Sequence, residues 1–389
     1  MKGSIFYVHV ILCPIMALAC AVGLYRPAYA VDIDWVTVGN PGNADDTFNE
    51  TYGRAWGGVN HVYRIAKYEV TNAQYAAFLN AKGTIGDPLQ LFDTQMSSST
   101  LGGIGRSGGG TAGDPFVYTV KSDRGNNPVV FVNWYDSLRF ANWLNNGQGA
   151  GDTESGSYTL LGGTPVPSNA FPFTPPIARN PGARVVLPSE DEWYKAAYHK
   201  NDGPTGNYWD YPTATDDPPF SDEPPGSDAP QPSNTANQPF SDGIANNYDD
   251  GYAVTGSSSF STTQNYLTDI GAYSQSISPY GTFDQAGNAL EWTESLFGDI
   301  GYFRVLRGGD WGCCFGTPGG AASAWTPGGN GPEFHDHRFG FRVAMVPEPG
   351  SLALFALSIA LLAARRRRVS MRQLIASLQR TADTYRQRH

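Results

Sequence analysis

Cysteine is nearly absent from this chain of 389 residues, which contains four. Cys13 and Cys20 lie within the first 30 residues, so the rest of the chain has only Cys313 and Cys314. A framework of several disulfides is therefore excluded as the main source of stability. The fold has to rest on a hydrophobic core, and about 315 residues are enough to form one.

Basic residues are scarce in the middle of the chain. Ten of the 26 lysines and arginines lie before residue 31 or after residue 345, but only two of the 36 acidic residues do. The part between carries 16 basic and 34 acidic residues, a net charge of −18. This charge argues against nucleic acid as a partner and against general binding to anionic lipid, and it favours cations such as calcium.

Long apolar runs are also rare, and the first extends from Ile5 to Leu24. It follows Lys2 and precedes Ala28-Tyr29-Ala30, a small-x-small pattern that signal peptidases recognise. We therefore predict that residues 1–30 are a cleaved signal peptide. An uncleaved N-terminal membrane anchor is the alternative, because the run is almost long enough to span a bilayer.

The C-terminal region combines a short motif, an apolar stretch and a basic cluster. Pro347-Glu348-Pro349 precedes the 14 apolar residues 351–364, too few for an untilted membrane-spanning helix, and Arg365–Arg368 follow. Together, residues 346–368 resemble the PEP-CTERM sorting signal of Gram-negative bacteria. Residues 369–389 form a basic tail, which is either a cytoplasmic surface helix or the product of a misassigned stop codon.

The sorting signal carries expectations about location. It implies a transmembrane segment at 351–364 and processing by a sortase-like membrane enzyme. The exported body is then expected in the periplasm, on the outer surface or in the extracellular matrix, after transient anchoring in the inner membrane.

Three helix starts are marked by capping boxes. They lie at Thr71, Asn133 and Ser189, each followed three residues later by a side chain that can bond back to the backbone. Apolar residues recur on one face after each cap, which predicts amphipathic helices. Arg184–Leu187 reads as a strand that Pro188 ends.

Long polar stretches separate these elements, at 83–127, 145–183 and 200–265. They are rich in Gly, Ser, Pro, Asn and Asp, and they predict loops. The chain contains 46 glycines and 28 prolines, too many for a helix bundle or a doubly wound sheet. We therefore predict one loop-rich α+β domain over 34–345, with two or three helices around a small twisted sheet.

Six short motifs follow one another between residues 67 and 342. They are Lys67–Asn72, Pro128–Val130 with Asn133–Asp136, Leu187–Trp193, Gly287–Trp292, Arg307–Trp311 and Gly340–Arg342. In this order they resemble the sulfatase-modifying-factor family, whose founding activity is that of the formylglycine-generating enzyme. The resemblance implies a variant of the C-type lectin fold with little regular secondary structure.

The resemblance also implies how catalysis works in the family: two cysteines bind one copper(I) ion, which activates oxygen toward a substrate cysteine. The first maps onto Cys313, the catalytic candidate here, but the second maps onto Pro318, and the family's serine in this motif is Asp310. Cys314 is a poor substitute, because adjacent side chains on extended backbone point to opposite faces. We therefore expect no copper site, although the enzyme class stays open.

The pair Cys313-Cys314 leaves three interpretations. It is a strained vicinal disulfide, two ordinary thiols, or a redox or metal site. His335 and His337 flank Asp336 and could place two imidazoles on one face. A third ligand is not apparent, so a surface loop is favoured over a metal site there.

Calcium is the cofactor that the resemblance favours, because family members hold structural calcium ions in loops. One such loop maps onto Asp284, the carbonyls of Gly287 and Ala289, and Glu291. Alternate oxygens along a tight turn can converge on an ion at ~2.4 Å, and two carboxylates offset its charge. Arg342 is expected to form a buried structural ion pair.

A second calcium loop maps onto Asn237, Asp250 and the carbonyl of Tyr252, although the spacing also allows Asn234 in place of Asn237. Either loop could instead be a turn with solvated acids. The sequence alone does not decide between the two.

Two classes of function remain. The first, which we favour, is a non-catalytic binding or structural module that meets an extracellular protein or polysaccharide. The second is an oxidase or oxygenase that acts on an exported protein cysteine or a small thiol. Aromatic side chains in the loops could stack on sugars or could cover the core, namely Tyr208, Trp209, Tyr211 and Trp325.

Overall fold

The computed structural model describes residues 30–47, 55–161, 166–167, 177–298, 302–313, 320, 322–324 and 328–347. The predicted signal peptide (up to residue 29), the apolar segment 351–364 and the tail 369–389 lie outside these residues. No helix within the described ranges is long and apolar enough to cross a membrane.

Helices are few and short. They are α1 (Asn72–Lys82), α2 (Gln95–Ser98), α3 (Trp134–Asn145) and α4 (Glu190–Tyr198). The three predicted capping boxes are confirmed, because the side chains of Thr71, Asn133 and Ser189 each accept a hydrogen bond from the backbone N–H three residues on. In return, the backbone N–H of each cap residue donates to the side chain three residues on. These caps place the helix starts and therefore the buried faces that follow.

Strands form two four-stranded sheets rather than the single small sheet predicted. The first has the order β1-β2-β14-β5 and the second β12-β11-β10-β13. Their bounds are Trp35–Val38 (β1), Tyr63–Ala66 (β2), Val185–Val186 (β5), Leu290–Leu296 (β10), Arg304–Arg307 (β11), Gly328–Asn330 (β12), Phe339–Gly340 (β13) and Ala344–Met345 (β14).

Three smaller sheets lie within the stretches predicted as loops, so that prediction was too coarse. They pair β3 (Ile104–Ser107) with β4 (Val117–Val120), β6 (Phe220–Ser221) with β7 (Thr235–Ala236), and β8 (Pro239–Ser241) with β9 (Asp250–Tyr252). In the first pair, Ile104 and Tyr118 are the buried residues and the others are partly or fully exposed. A strand with one buried side chain gives no alternating pattern to read.

The core is built largely from aromatic residues, as the composition suggested. Trp134, Trp143, Trp193 and Trp292 are fully buried. The Trp134 indole donates to the carbonyl of Thr293 (2.9 Å) and the Trp292 indole to that of Val132 (3.1 Å). Each buried N–H is thus paired, which lets a large ring fill the core without losing a hydrogen bond.

The aromatic side chains of the loops pack within the domain more than they face solvent. Tyr211 is buried, and Tyr208 packs against Tyr194 with ring centroids 5.4 Å apart. Lys200 lies over the Trp209 ring at 3.8 Å. Trp325 lies outside the described residues.

Candidate functional site

The centre of the molecule holds a buried ion pair, as predicted for Arg342. Its guanidinium binds both carboxylate oxygens of Glu291, at 2.5 and 2.6 Å, and both side chains are fully buried. It also donates to the carbonyl of Phe283 (2.9 Å) and that of Ala66 (3.1 Å). The Trp193 indole donates to Glu291 as well, at 2.8 Å. This ion pair thus ties α4, β10 and the end of β2 at Ala66 together.

Two further carboxylates lie near this pair. Glu69 accepts from the side chain of Asn288 (2.8 Å) and from the backbone N–H of Ala289 (3.1 Å). Asp284 accepts from the backbone N–H of Gly271 at 2.7 Å. Glu69 and Asp284 both interact electrostatically with Glu291 and Arg342, and we call these four residues the carboxylate cluster.

Electrostatics in the carboxylate cluster are unfavourable for ionised acids. Burial, followed by the charges of Asp284 and Glu291, raises the pKa of Glu69 well above its usual range. Burial raises the pKa of Asp284 to about 6, against the opposing effects of the Gly271 N–H and Arg342. A second cation near these carboxylates would relieve the excess of negative charge.

The first predicted calcium loop is a tight turn that leads into β10. Asp284, Gly287 and Asn288 all have positive φ, at 60°, 84° and 65°. A Cβ on Gly287 would lie 2.2 Å from the carbonyl oxygen of Asn237, so only glycine fits there. Both oxygens of Glu291 already bind Arg342, so Asp284 and the carbonyls of Gly287 and Ala289 are the better placed members of the predicted ligand set.

The residues of the second predicted loop lie on β9 and just before its partner β8. Asn237 contacts the first loop, where its carbonyl accepts from the Asn288 N–H (2.8 Å) and its amide donates to the side chain of Asn288 (3.0 Å). Asp250 accepts from the backbone N–H groups of Asn246 and Asn247, and the carbonyl of Tyr252 accepts from the N–H of Gly256 at 2.8 Å. Because Pro239 pairs with Tyr252 and the Ser221 hydroxyl donates to the carbonyls of both Gln238 and Gly251, Asn237 lies near β9 as well as near Gly287.

In the described part of the chain, side chains by themselves do not form a metal site. No group of three His, Cys, Asp or Glu residues there is placed to hold a metal ion. Calcium differs from zinc because backbone and amide oxygens can complete its shell. The turn at Asp284 suits calcium in its donor chemistry and in its excess of buried carboxylate.

The region of the predicted catalytic cysteine is oxidised. Cys313 is disulfide-bonded, and the other cysteines, Cys13, Cys20 and Cys314, lie outside the described residues. A disulfide sulfur is neither a nucleophile nor a copper ligand. Copper(I) therefore does not fit Cys313 in this state, and Pro318 also lies outside the described residues.

Asp310 takes the place of the family's serine beside Cys313. It is buried, and one carboxylate oxygen accepts from the Gly312 N–H at 2.7 Å, whereas the other has no hydrogen-bond partner within the described ranges. Burial raises the pKa of Asp310 to about 6, although the Gly312 N–H and Arg338 oppose the effect. The indole N–H of Trp311 is likewise buried without a partner there.

An aromatic stack stands next to Asp310. Trp311 and Tyr266 are parallel, with centroids 4.8 Å apart and planes inclined by 9°. Phe260 stacks on both, at 5.4 and 6.1 Å, and 53% of it is exposed. Tyr252 packs against Tyr266 at 4.6 Å. The stack therefore presents one ring to solvent over a buried aromatic base.

The histidines near Gly340 hold the loop in place. His335 lies 3.0 Å from the Asn133 side chain and 3.5 Å from Asp136, at the start of α3. His337 lies 3.3 Å from Asp336 and packs on Trp311 at 5.5 Å. The two imidazoles thus have separate partners, in agreement with the interpretation as a surface loop.

Sequence reasoning missed two features. Glu69 lies in the motif Lys67–Asn72, but its place in the carboxylate cluster was not predicted, although a lone acid between Tyr68 and Val70 is a usable signal. The second is a network in which Arg179 binds Glu192 and Glu294 (2.6 Å to Glu294). Arg179 lies in a stretch predicted as loop, where no pattern marked its partners.

Comparison with known proteins identifies a family over the range that contains the six motifs. The family model of the sulfatase-modifying factor enzyme 1-like domain matches residues 44–346, and that of the PEP-CTERM protein-sorting motif matches residues 346–368. The chain therefore belongs to the family defined by the first domain. Its fold is the α+β, loop-rich, formylglycine-generating-enzyme-like variant of the C-type lectin fold, as predicted. The sorting motif marks it for export and surface sorting in a Gram-negative bacterium.

Solved structures with a similar fold share little sequence. The chain is similar to CarF at 20% identity and a TM-score of 0.44, with 81% of this chain and 99% of that chain covered. It is similar to variable protein 1 of Treponema denticola at 20% identity and a TM-score of 0.45, with 82% and 96% covered. It is similar to PvdO from Pseudomonas aeruginosa at 16% identity and a TM-score of 0.39, with 82% of this chain and 93% of that chain covered. The search of curated proteins gave no match.

Proposed function

We propose that this exported domain is a non-catalytic binding or structural module, stabilised by calcium. The observation that supports this most directly is the disulfide at Cys313. Formylglycine formation needs a pair of free thiolates, and the chain has Pro318 where the second cysteine of the family lies. A protein that is sorted to the surface also meets an oxidising environment, in which such a disulfide persists.

The binding surface we propose is the exposed ring of Phe260 with its aromatic base. A flat apolar ring, held parallel to Tyr266 and Trp311, is already ordered before a ligand arrives, so binding costs little side-chain entropy. Asp310 is buried beneath this surface, so its oxygens are not offered to a ligand. An exposed ring on an ordered aromatic base suits a polysaccharide or an extended segment of an extracellular protein.

Calcium would act structurally in this proposal. Asp284 and the carbonyls of Gly287 and Ala289 would hold the ion, and Asn237 lies against the same turn. When bound, the ion would supply positive charge to the carboxylate cluster and fix the turn between β10 and the loop before it. Asn237, Asp250 and the carbonyl of Tyr252 would form the second site.

Catalysis is tested with the purified exported protein, copper(I), oxygen and a peptide that carries a sulfatase-type cysteine. Mass spectrometry is expected to find no conversion of the thiol to the aldehyde. Conversion that disappears in Cys313→Ser would contradict the proposal and favour the oxidase.

Binding is tested with polysaccharide purified from the producing cells, by isothermal calorimetry. Phe260→Ala is expected to weaken binding about fivefold, from the ~1 kcal/mol of an aromatic contact. Phe334→Ala is a matched control, because Phe334 is 52% exposed but lies outside the stack. Equal effects of the two substitutions would remove Phe260 from the binding surface.

A further inference from the structure

The start of the described chain is tied to the domain by the side chain of Gln148. The backbone N–H of Val31 donates to Gln148 Oε1 at 2.6 Å, and Gln148 Nε2 donates to the carbonyl of Val31 at 2.9 Å. One side-chain amide thus pairs with both polar backbone groups of one residue. Val31 is also partly buried and packs against the hydrophobic core. Gln148 therefore holds residue 31 in a defined place on the domain.

Further hydrogen bonds hold the segment 31–34, which leads into β1. Gln74 Nε2 donates to the carbonyl of Asp32 at 2.9 Å, and the backbone N–H of Lys67 donates to the carbonyl of Asp34 at 2.7 Å. β1 then pairs with β2. The segment is therefore part of the folded domain, and its first residue directly follows the predicted cleavage site.

Gln148 is itself held in place by the loop that follows α3. Its N–H donates to the carbonyl of Trp143, and its carbonyl accepts from the N–H of Gly151, both at 2.8 Å. Its φ of 66° lies in the left-handed region, as do the φ angles of the glycines on either side. The side chain thus projects from a hydrogen-bonded backbone, which lowers the entropy lost when it binds a partner.

The end of α3 is a favourable place for a positive charge. The carbonyl groups of the last helical turn give this end a partial negative charge, and α3 ends three residues before Gln148. The same loop already binds one ammonium group, since Lys82 Nζ donates to the carbonyl of Gly151 at 2.8 Å. Asp32 and Asp152 are adjacent in sequence to the two contacts and reduce the repulsion between two such cations.

We propose that Gln148 binds the α-ammonium group that signal-peptide cleavage exposes on Val31, and so fastens the mature N terminus to the end of α3. Hydrolysis of the Ala30–Val31 bond consumes one water, leaves a carboxylate on Ala30 and converts the amide nitrogen of Val31 into an ammonium group. In the precursor the same nitrogen donates as a neutral amide. A hydrogen bond from a charged donor is roughly twice as strong, so cleavage strengthens the docking of the segment. The site lies outside the proposed binding surface and depends on the predicted cleavage after Ala30.

The test uses the exported protein, purified after processing, and measures how fast its α-amino group reacts with N-hydroxysuccinimidyl acetate at neutral pH. The mass of the N-terminal peptide shows whether the chain begins at residue 31 and measures acylation there, apart from the lysines. A docked amine reacts slowly, because it is hydrogen-bonded and partly buried. Two hydrogen bonds of ordinary strength favour the docked state about 30-fold over the released one.

Gln148→Asn removes the contact with little change in the backbone, because asparagine tolerates positive φ but is one methylene shorter. It is expected to raise the acylation rate by up to about 30-fold. Gln231→Asn is the matched control, because Gln231 is exposed and lies in another loop, and it is expected to leave the rate unchanged. Circular dichroism and the melting temperature show whether each variant is folded.

Gln148→Glu tests the charge of the bound group. It loses the donor to the Val31 carbonyl, which costs about fivefold, but it offers the ammonium group a charged acceptor, which gains about fivefold. Its acylation rate is therefore expected to stay within about threefold of wild type at low salt. At high salt the rate is expected to rise, because the ion pair is screened.

Three results would overturn the proposal. The first is a mature chain that begins at a residue other than 31. The second is an equal acylation rate in wild type and in folded Gln148→Asn. The third is a Gln148→Glu protein that reacts as fast as Gln148→Asn at low salt, which would show that no positive charge is bound at this position.

Discussion

Removal of the charge of Arg342 is expected to destabilise the domain strongly. Arg342→Met keeps most of the volume but leaves the buried Glu69 and Glu291, and the half-buried Asp284, without the arginine's charge. Breaking a buried pair by deleting one partner costs about 3–5 kcal/mol. Arg342 also donates to the carbonyl of Phe283, and the loss of that bond places the cost in the upper part of the range.

The expected shift in melting temperature follows from the size of the domain. The entropy of unfolding of about 300 residues is roughly 0.6 kcal/mol/K, so the substitution is expected to lower Tm by about 5–8 °C. Calorimetry at pH 5 and pH 8 would measure it. The loss of stability relative to wild type is expected to be larger at pH 8 than at pH 5. Arg342 lowers the pKa values of Glu69 and Asp284, so without Arg342 the folded state at high pH contains carboxylate charge that nothing compensates.

A double-mutant cycle separates the ion pair from packing. Glu291→Gln/Arg342→Met is expected to be less destabilised than the sum of the two single substitutions, because each single change leaves a buried partner unpaired. Additive effects, or a deficit of Arg342→Met below about 1 kcal/mol, would refute the account of the carboxylate cluster.

Three other outcomes can be measured on the same protein. Calcium at a hundredfold excess over Kd is expected to stabilise the fold by ~2.7 kcal/mol, about 4 °C, and an equal shift in Asp284→Ala would contradict the first calcium loop. Asp310→Asn is expected to be more stable than wild type at pH 8 by up to about 3 kcal/mol. The raised pKa of Asp310 means that the protonated carboxyl favours the folded state. This contribution to wild-type stability is complete below about pH 4 and is lost as pH rises through about 6, whereas the neutral amide of Asn does not depend on pH. A variant that matches wild type at every pH would show that the carboxylate is solvated. In cells with the sorting enzyme, the mature C terminus is expected near Pro349, and surface protein that retains residues 369–389 would contradict processing.

Local rules predicted the helices well. Thr71, Asn133 and Ser189 begin helices because a capping box is decided within four residues, and the structure contains both reciprocal bonds at each. The fold class was also predictable, since six motifs in order carry it. The pair β3 and β4 was not, because Val117 and Val120 are exposed and the pattern of a half-buried strand is missing.

The candidate site was predictable only where its residues lie in one motif. Asp284, Gly287, Ala289 and Glu291 are close in sequence and lie in one turn and the strand that follows it. Glu69 reaches the same place from more than 200 residues away, which no local pattern reveals. The bridge between Asn237 and Gly287 is likewise a tertiary contact that no local pattern reveals.

The position of β14 has a consequence for the timing of export. This strand, the last described in the chain, is not at an edge but between β2 and β5, to both of which it is antiparallel. The first sheet therefore cannot close until residues 344–345 have been exported, immediately before the sorting motif that begins at residue 346. Completion of the fold and arrival of the motif at the membrane are thus nearly simultaneous events, and a sorting enzyme that waits for the motif receives a domain that has only just become able to finish folding.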